Sequence, residues 1–288
     1  MDKRWQPLLT DNPVVDATIA FPRETFRGIP GVLRALPWAF GLKSIRPDIA
    51  IDLQGLLRSA LMARLSRARR SVGLADAREG AAWLYDDVVP VGHREHSVRR
   101  YLRILQTLGL PKVTQPVFRL PPGTPFNASL QERRFILLHP FARGDAKSLS
   151  QGQVLEFCDH VFPVKVVVIG AGRIRLNLPD NTTNLLNQTT IRQMIWLIGA
   201  AAFVVSVDSG PMHVAAAINS PLLSIHTWSD PRLVGPFNDE AWIWQGGEIR
   251  RQQLDAPSLP LARSPQSTDI LQIAEFAKEI AQKRNPAA

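Results

Sequence analysis

Short apolar runs alternate with amphipathic stretches along most of this chain of 288 residues. Residues 14–21 read as a strand, 31–44 as a helix and 48–53 as a second strand. A helix over 54–67, a short strand at 71–74 and a helix over 96–108 follow. The pattern stops between 109 and 127, where Pro111, Pro116, Pro121, Pro122 and Pro125 fall among polar residues and exclude both helix and central strand. It resumes with strands at 134–139 and 165–169 around a helix at 151–161. A short strand at 184–186, a helix at 191–201, a strand at 202–207, a helix at 211–218 and a strand at 222–226 come next. The last segment, 268–284, spaces Ile270, Ile273, Phe276, Ala277 and Ile280 as one apolar helical face. Two blocks of alternating strand and helix predict an α/β protein of two Rossmann-like domains, 1–125 and 126–288, facing a cleft. The opening stretch, MDKRWQPLLTDNP, reads as a loop, so the first domain is expected to be short by at least one βα unit.

Composition narrows the class. Hydrophobic residues at 45% and charged residues at 20% support a real core. No apolar run reaches the roughly 18 residues that cross a bilayer, and no secretory signal opens the chain, so a cytosolic protein is expected. The single cysteine, Cys158, excludes an intramolecular disulfide and a cysteine metal cluster, and reads as a small buried hydrophobe. The net charge of +9 implies polyanionic company. Much of that charge lies between residues 55 and 105, where Arg58, Arg64, Arg67, Arg69, Arg70, Arg78, Arg94, Arg99, Arg100 and Arg103 face only Asp76, Glu79, Asp86, Asp87 and Glu95. This is either a solvated face or an electrostatic dock for anionic lipid. Few aromatics and no recognisable module argue against nucleic acid.

The most informative stretch is FVVSVDSGPMHVAAAINSP, residues 203–221. A buried strand delivers Asp208 to its carboxyl end, Ser209 and Gly210 turn, and Pro211 opens a helix where a missing N–H costs nothing. Such a helix start is an anion site, because its first amides point outward unpaired and the helix dipole adds positive charge. Gly210 admits close approach, the first turn carries Met212 and His213, and Asn219 stands where a left-handed residue would end the helix. The competing reading is a plain strand-turn-helix in which Asp208 and Ser209 only cap. Lys147, in the loop after strand 134–139, and the segment 227–237 lie at the same sheet edge, so the three loops together outline a nucleotide or phosphosugar pocket.

These residues resemble glycosyltransferase family 9, the lipopolysaccharide heptosyltransferases. The likeness is carried by Asp208, Ser209, Gly210, His213, Ala216, Ala217, Ser220 and Pro221, then by Asp230, Pro231, Gly235 and Pro236. In the first half, Asp52, Gln54, Gly55, Arg58 and Ser59 resemble the family's Asp-x-Gln-Gly-x-x-Lys/Arg-Ser segment, and His96 with Arg99 or Arg100 its His-x-x-x-Arg helix. The resemblance implies a GT-B fold and transfer of heptose from ADP-heptose to the lipid A core at the inner membrane surface, inverting the anomeric centre with no metal and no cofactor. It implies donor binding by Lys147, Asp208, Ser209, Gly210, Met212 and His213, with Asp52, Gln54, Gly55, Arg58 and Ser59 on the acceptor side. The family's general base stands on a Gly-Asp turn after an initial strand; no matching segment precedes residue 14, and no catalytic residue is assigned. Two more departures concern the donor. Arg173 and Arg175 stand where an acidic residue usually meets the ribose, and Thr227 and Trp228 replace a common Gly-Pro. A non-catalytic nucleotide-sugar or phosphate-binding homologue, and a sugar-nucleotide epimerase on the same scaffold, are the alternatives.

Overall fold

A computed structural model describes residues 1–21, 35, 37–92, 94–126, 130 and 135–284. Contacts divide the chain into two compact units, one of Met1–Arg4 and Ile19–Pro116, the other of Trp5–Thr18 and Val117–Ala288.

The first unit holds a parallel sheet in the order β1 (Ile49–Asp52), β2 (Arg70–Leu74) and β3 (Asp87–Val89). Helix α1 (Leu57–Leu65) links the first two strands, and α2 (Ser97–Thr107) follows the third. Side chains alternate across β2: Val72 and Leu74 pack with Val89 and with Ile104 of α2, while the face at Gly73 receives the ring of Tyr85. Tyr85 packs with Ala60 of α1 and Ala81. Strand β3 was not read from the sequence; only three residues long, it lies where two aspartates precede a brief apolar pair.

Residues 14–21 do not form the expected strand. Asn12 instead holds a turn, its Oδ1 accepting from the Val14 amide at 3.1 Å and its Nδ2 donating to the Arg119 carbonyl at 2.9 Å. The chain passes from one unit to the other at Thr18 and Ile19, and among the described residues the segment's one β-pairing is the bridge of Phe21 to Asp2. Without a neighbouring ladder, an apolar run cannot satisfy its amides as a strand. Residues 5–18 and 117–125, grouped by sequence with the first domain, thus belong with the second unit. Of the helix expected over 31–44, residues 31–34 and 36 lie outside the described residues; 35 and 37–41 are helical and Leu42–Ser44 close it as a 3₁₀ turn.

The second unit is built on β4 (Phe135–His139), α3 (Gln151–His160), β5 (Lys165–Val168), β6 (Thr182–Asn184), α4 (Ile191–Ala200), β7 (Phe203–Val207) and α5 (Gly210–Ala217). β8 (Leu222–Ile225), the short α6 (Pro231–Val234), β9 (Trp242–Gln245), β10 (Glu248–Arg251) and α7 (Ser267–Lys283) complete it. Its seven strands run in the order β10-β9-β8-β7-β4-β5-β6, parallel except for β10. Alternate residues of β4 feed opposite cores, Ile136 and Leu138 toward α3 and α7, Phe135 and Leu137 toward α4 and α5. Arg134, expected to open β4, lies outside the described residues, and β6 begins two residues earlier than the apolar pair Leu185–Leu186 led us to expect. Those leucines instead turn into the core. Hairpin β9–β10 escaped the sequence reading, although Gly246 and Gly247, with φ of +63° and +100°, supply the turn that joins such strands.

The strand order decides where a ligand can sit. From β4 the chain builds outward through β5 and β6, then returns to place β7 on the other side of β4. The loops leaving β4 and β7 therefore diverge to opposite faces and open a crevice at the carboxyl ends of these strands.

Candidate functional site

Lys147 and Asp208 meet at that crevice. Ser148 shapes the loop after β4, its hydroxyl accepting from the Ala142 amide at 2.9 Å and donating to the Gly144 carbonyl at 3.1 Å. The loop carries Lys147 so that Nζ donates to Asp208 Oδ2 at 2.6 Å. The lysine side chain is 30% exposed and the aspartate 8%. Ser229, in the loop after β8, donates to the same oxygen at 2.7 Å. Burial alone would raise the Asp208 carboxyl, but the hydrogen bonds from Lys147 and Ser229 outweigh it and hold the group below the ordinary carboxylate value. Oδ1 accepts no hydrogen bond among the described residues. The loops are tied together again by Thr227, whose hydroxyl donates to the Ala146 carbonyl at 2.5 Å.

The start of α5 is left uncapped. Ser209 occupies the N-cap position without bonding the first-turn amides; its hydroxyl donates to the Val207 carbonyl at 3.0 Å and lies 3.0 Å from His139 Nδ1. Asp208 turns away toward Lys147. The reading in which these two residues merely cap the helix is therefore overturned, and the amides of Gly210, Met212 and His213 begin the helix with no side-chain partner from the N-cap. Met212 enters only through its backbone, because its side chain is fully buried in the core. His213 is exposed on the first turn. Asn219 adopts φ +55°, the left-handed ending expected of it.

Sequence reasoning named Trp228 here but missed the other neighbours. The Trp5 indole lies beside Gly210, where an added Cβ would meet it at 3.6 Å. Trp228 is 70% exposed, and Lys147 Nζ lies 5.4 Å from its ring centroid. His139 is locked behind Ser209, and a Cβ on Gly170, at φ +117°, would stand 2.7 Å from its Nε2. His226 and Ser229 lie behind Asp208. No signal in one sequence pairs residues so far apart, although the polar residues inside a strand-end run of apolar ones marked the place. Arg173 and Arg175 are exposed in the loop after β5.

In the first unit, Asp52 is buried and holds a turn, Oδ1 accepting from the Gln54 amide at 2.9 Å and the Gly55 amide at 3.2 Å. Its Oδ2 accepts from the Tyr85 hydroxyl at 2.7 Å. Burial, then this bond to a carboxylate, pushes the phenol above its ordinary value. Gly55 needs its φ of +63° for the turn, and Ser59 bonds back to Leu56. Gln54 and Arg58 are the exposed members of the expected set. A polar pocket of about 250 Å³ opens beside the turn, lined by Asp52, Gln54, Gly55, Asp76, Arg78 and Arg100. Arg100 pairs with Asp76, and its Nε is buried without a hydrogen-bond partner among the described residues. His96 caps α2, its Nδ1 accepting from the Val98 amide at 3.2 Å.

The basic stretch is partly neutralised within itself. Arg64 pairs with Asp86, Arg70 with Asp87 and Arg103 with Glu95. Cys158 is buried, and burial raises its thiol to about 11, as befits a core residue. Among the described residues no helix is long and apolar enough to cross a membrane, and no group of three or more His, Cys, Asp or Glu is placed to hold a metal.

The family profile of glycosyltransferase family 9 (heptosyltransferase) matches residues 40–153 and 168–258. Lipopolysaccharide heptosyltransferase 3 of Escherichia coli is 23% identical over 92% of this chain and 85% of its own length. Lipopolysaccharide heptosyltransferase 1 of Salmonella typhimurium is 24% identical over 74% of this chain and 71% of its own. Among solved structures, E. coli ADP-heptose lps heptosyltransferase II superposes with a TM-score of 0.69 at 21% identity, covering 98% of this chain and 88% of that one. E. coli heptosyltransferase WaaC with ADP gives 0.64 at 17% identity, over 91% and 80%. The fold is thus GT-B-like, with two Rossmann-like units, and with most of its length inside the profile the chain belongs to glycosyltransferase family 9.

Proposed function

We propose that this chain moves heptose from ADP-heptose to the lipopolysaccharide inner core at the cytoplasmic face of the inner membrane, inverting the anomeric centre. The observation that carries the donor half is that Asp208 and Ser209 leave α5 uncapped while Asp208 fixes Lys147 beside it. Fixed amide donors and a held ammonium are what a diphosphate requires. As an acceptor hydroxyl attacks the anomeric carbon, a new carbon–oxygen bond forms, the bond from that carbon to the diphosphate oxygen breaks with its electron pair passing to the leaving ADP, and the hydroxyl proton is released to solvent. Donors already in place stabilise the growing charge without reorganising. Lys147 and the first-turn amides do this without a metal ion, and the unengaged Oδ1 of Asp208 orients the donor sugar by accepting a hydroxyl. On the acceptor side, Gln54, Arg78 and Arg100 line the pocket beside Asp52 and Asp76 and supply the donors that meet polar groups of the lipid A core.

The test has two parts. Calorimetry with ADP should show binding that Lys147→Ala weakens by about 1.5 to 3 kcal/mol, the range for a hydrogen bond to a charged group. Incubation with ADP-heptose and a heptose-free lipid A core acceptor should release ADP and add one heptose to the acceptor by mass. No ADP binding overturns the donor site. ADP binding without transfer returns the protein to the non-catalytic nucleotide-sugar reading.

A further inference from the structure

Behind Asp208 lies a row of buried polar side chains that diphosphate binding does not by itself require. Ser229 Oγ lies 3.0 Å from His226 Nδ1, and His226 Nε2 lies 2.9 Å from Ser224 Oγ. His226 and Ser224 are fully buried and Ser229 nearly so. The proton positions follow from chemistry. An ionised carboxylate only accepts, so Ser229 gives Asp208 its single proton and must accept from His226 Nδ1–H. The neutral imidazole then has Nε2 free to accept from the Ser224 hydroxyl. Burial, more than any neighbouring charge, drives the His226 pKa to about 4, so the ring is neutral at physiological pH.

We propose that His226 and Ser229 are positioning residues of the donor site, forming with Ser224 a hydrogen-bond relay that orients the Asp208 carboxylate toward Lys147. The proposal rests on the donor-site reading above and adds a control that reading does not contain. Lysine is a point charge on a flexible four-carbon stem, so its worth to an anion depends on something holding the ammonium still. Asp208 Oδ2 holds it, and Oδ2 is itself held by Ser229. Were Ser229 to turn, the carboxylate would rotate and Oδ1 would lose its direction too. His226 prevents this by fixing which way the Ser229 hydroxyl points. The backbone of the loop does not depend on the ring, because the Thr227 hydroxyl anchors it to Ala146 and Gln245 Nε2 donates to the Ser229 carbonyl at 3.3 Å.

ADP is the probe, titrated by calorimetry into the full chain. Ser229→Ala and His226→Leu should each weaken ADP binding about threefold to tenfold, the scale of one hydrogen bond. If both act through one relay, the double variant should bind no more weakly than the poorer single variant, and His226→Leu should change nothing further in a Lys147→Ala background. His226→Asn, which restores an amide donor near the Nδ1 position, should recover most of the loss. A merely structural histidine would instead give losses that multiply across these backgrounds. Should His226→Leu fail to fold, Ser229→Ala and His226→Asn, each alone and combined with Lys147→Ala, decide the matter. Unchanged ADP affinity in Ser229→Ala, or losses that multiply with Lys147→Ala, overturn the relay. A wild-type chain that takes up no ADP overturns the donor-site reading itself.

Discussion

His139 and His226 are the imidazoles that the second unit buries most deeply, and burial drives both to about 4. An unfolded chain titrates its histidines near 6.5, so between those values it binds protons that the native state refuses. The stability these groups contribute is therefore whole above pH ~6.5 and is lost as pH falls toward ~4, at roughly 3 kcal/mol each as an upper figure. Asp208, held low by its partners once burial is overcome, adds a separate loss only below the ordinary carboxylate range. The urea midpoint of the second unit should accordingly fall steeply between pH 7 and pH 4.5, and His139→Gln should flatten that slope. A midpoint that does not move over this window would show that the rings are protonated or hydrated in the native state. At this scale the sequence brought the candidate donor residues into view and was silent about what supports them. Lys147, Asp208, Ser209, Gly210 and His213 were legible because each follows a strand end or opens a helix. His226 and Ser229 were not, because their roles arise only when β8 lies beside β7 and brings one loop behind another.

Among the elements, long periodic helices and apolar strands were readable, and the failures share a physical cause. Residues 14–21 have the apolarity of a strand but no neighbouring ladder among the described residues, whereas β3 has little apolarity and is stabilised by pairing with β2 through Val72 to Leu74. Pairing is a tertiary fact that local pattern cannot express. Gly73 on β2 shows how tightly such pairing is built, since a Cβ there would stand 2.1 Å from the Tyr85 ring. That ring carries the hydroxyl bonded to Asp52. Gly73→Ala should therefore expel Tyr85, free one oxygen of a buried carboxylate and cost about 1 to 3 kcal/mol, the usual range for overpacking. Chemical denaturation of the variant reads the cost, and a spectrophotometric titration should show Tyr85 ionising nearer its ordinary value. An unchanged tyrosine titration would mean the ring stays on Asp52 and the sheet yields instead.

Across the whole molecule, the net charge of +9 is not spread evenly over usable groups. Arg64, Arg70, Arg100 and Arg103 are each committed to a carboxylate of the same unit, so a lipid phosphate must compete with that partner. Arg58, Arg67 and Arg94 are exposed and make no ion pair among the described residues; Arg58 lies over the Phe21 ring at 5.9 Å. The sequence alone could count these charges but could not tell committed from available ones. If the first unit docks on a phosphorylated lipid surface, the available arginines should carry it, at about 1 kcal/mol for each basic group near an anionic bilayer. Replacing Arg58, Arg67 and Arg94 together by Gln should weaken binding to vesicles containing anionic lipid by about tenfold or more at low salt, while binding to neutral vesicles stays as weak as before. The residual binding should also depend less on ionic strength, because fewer exposed charges are left to screen. Flotation of both proteins across a salt titration makes the comparison. Equal binding at every salt concentration would return these arginines to an ordinary solvated face and leave the acceptor pocket near Asp52 and Arg100 to recruit the lipid unaided.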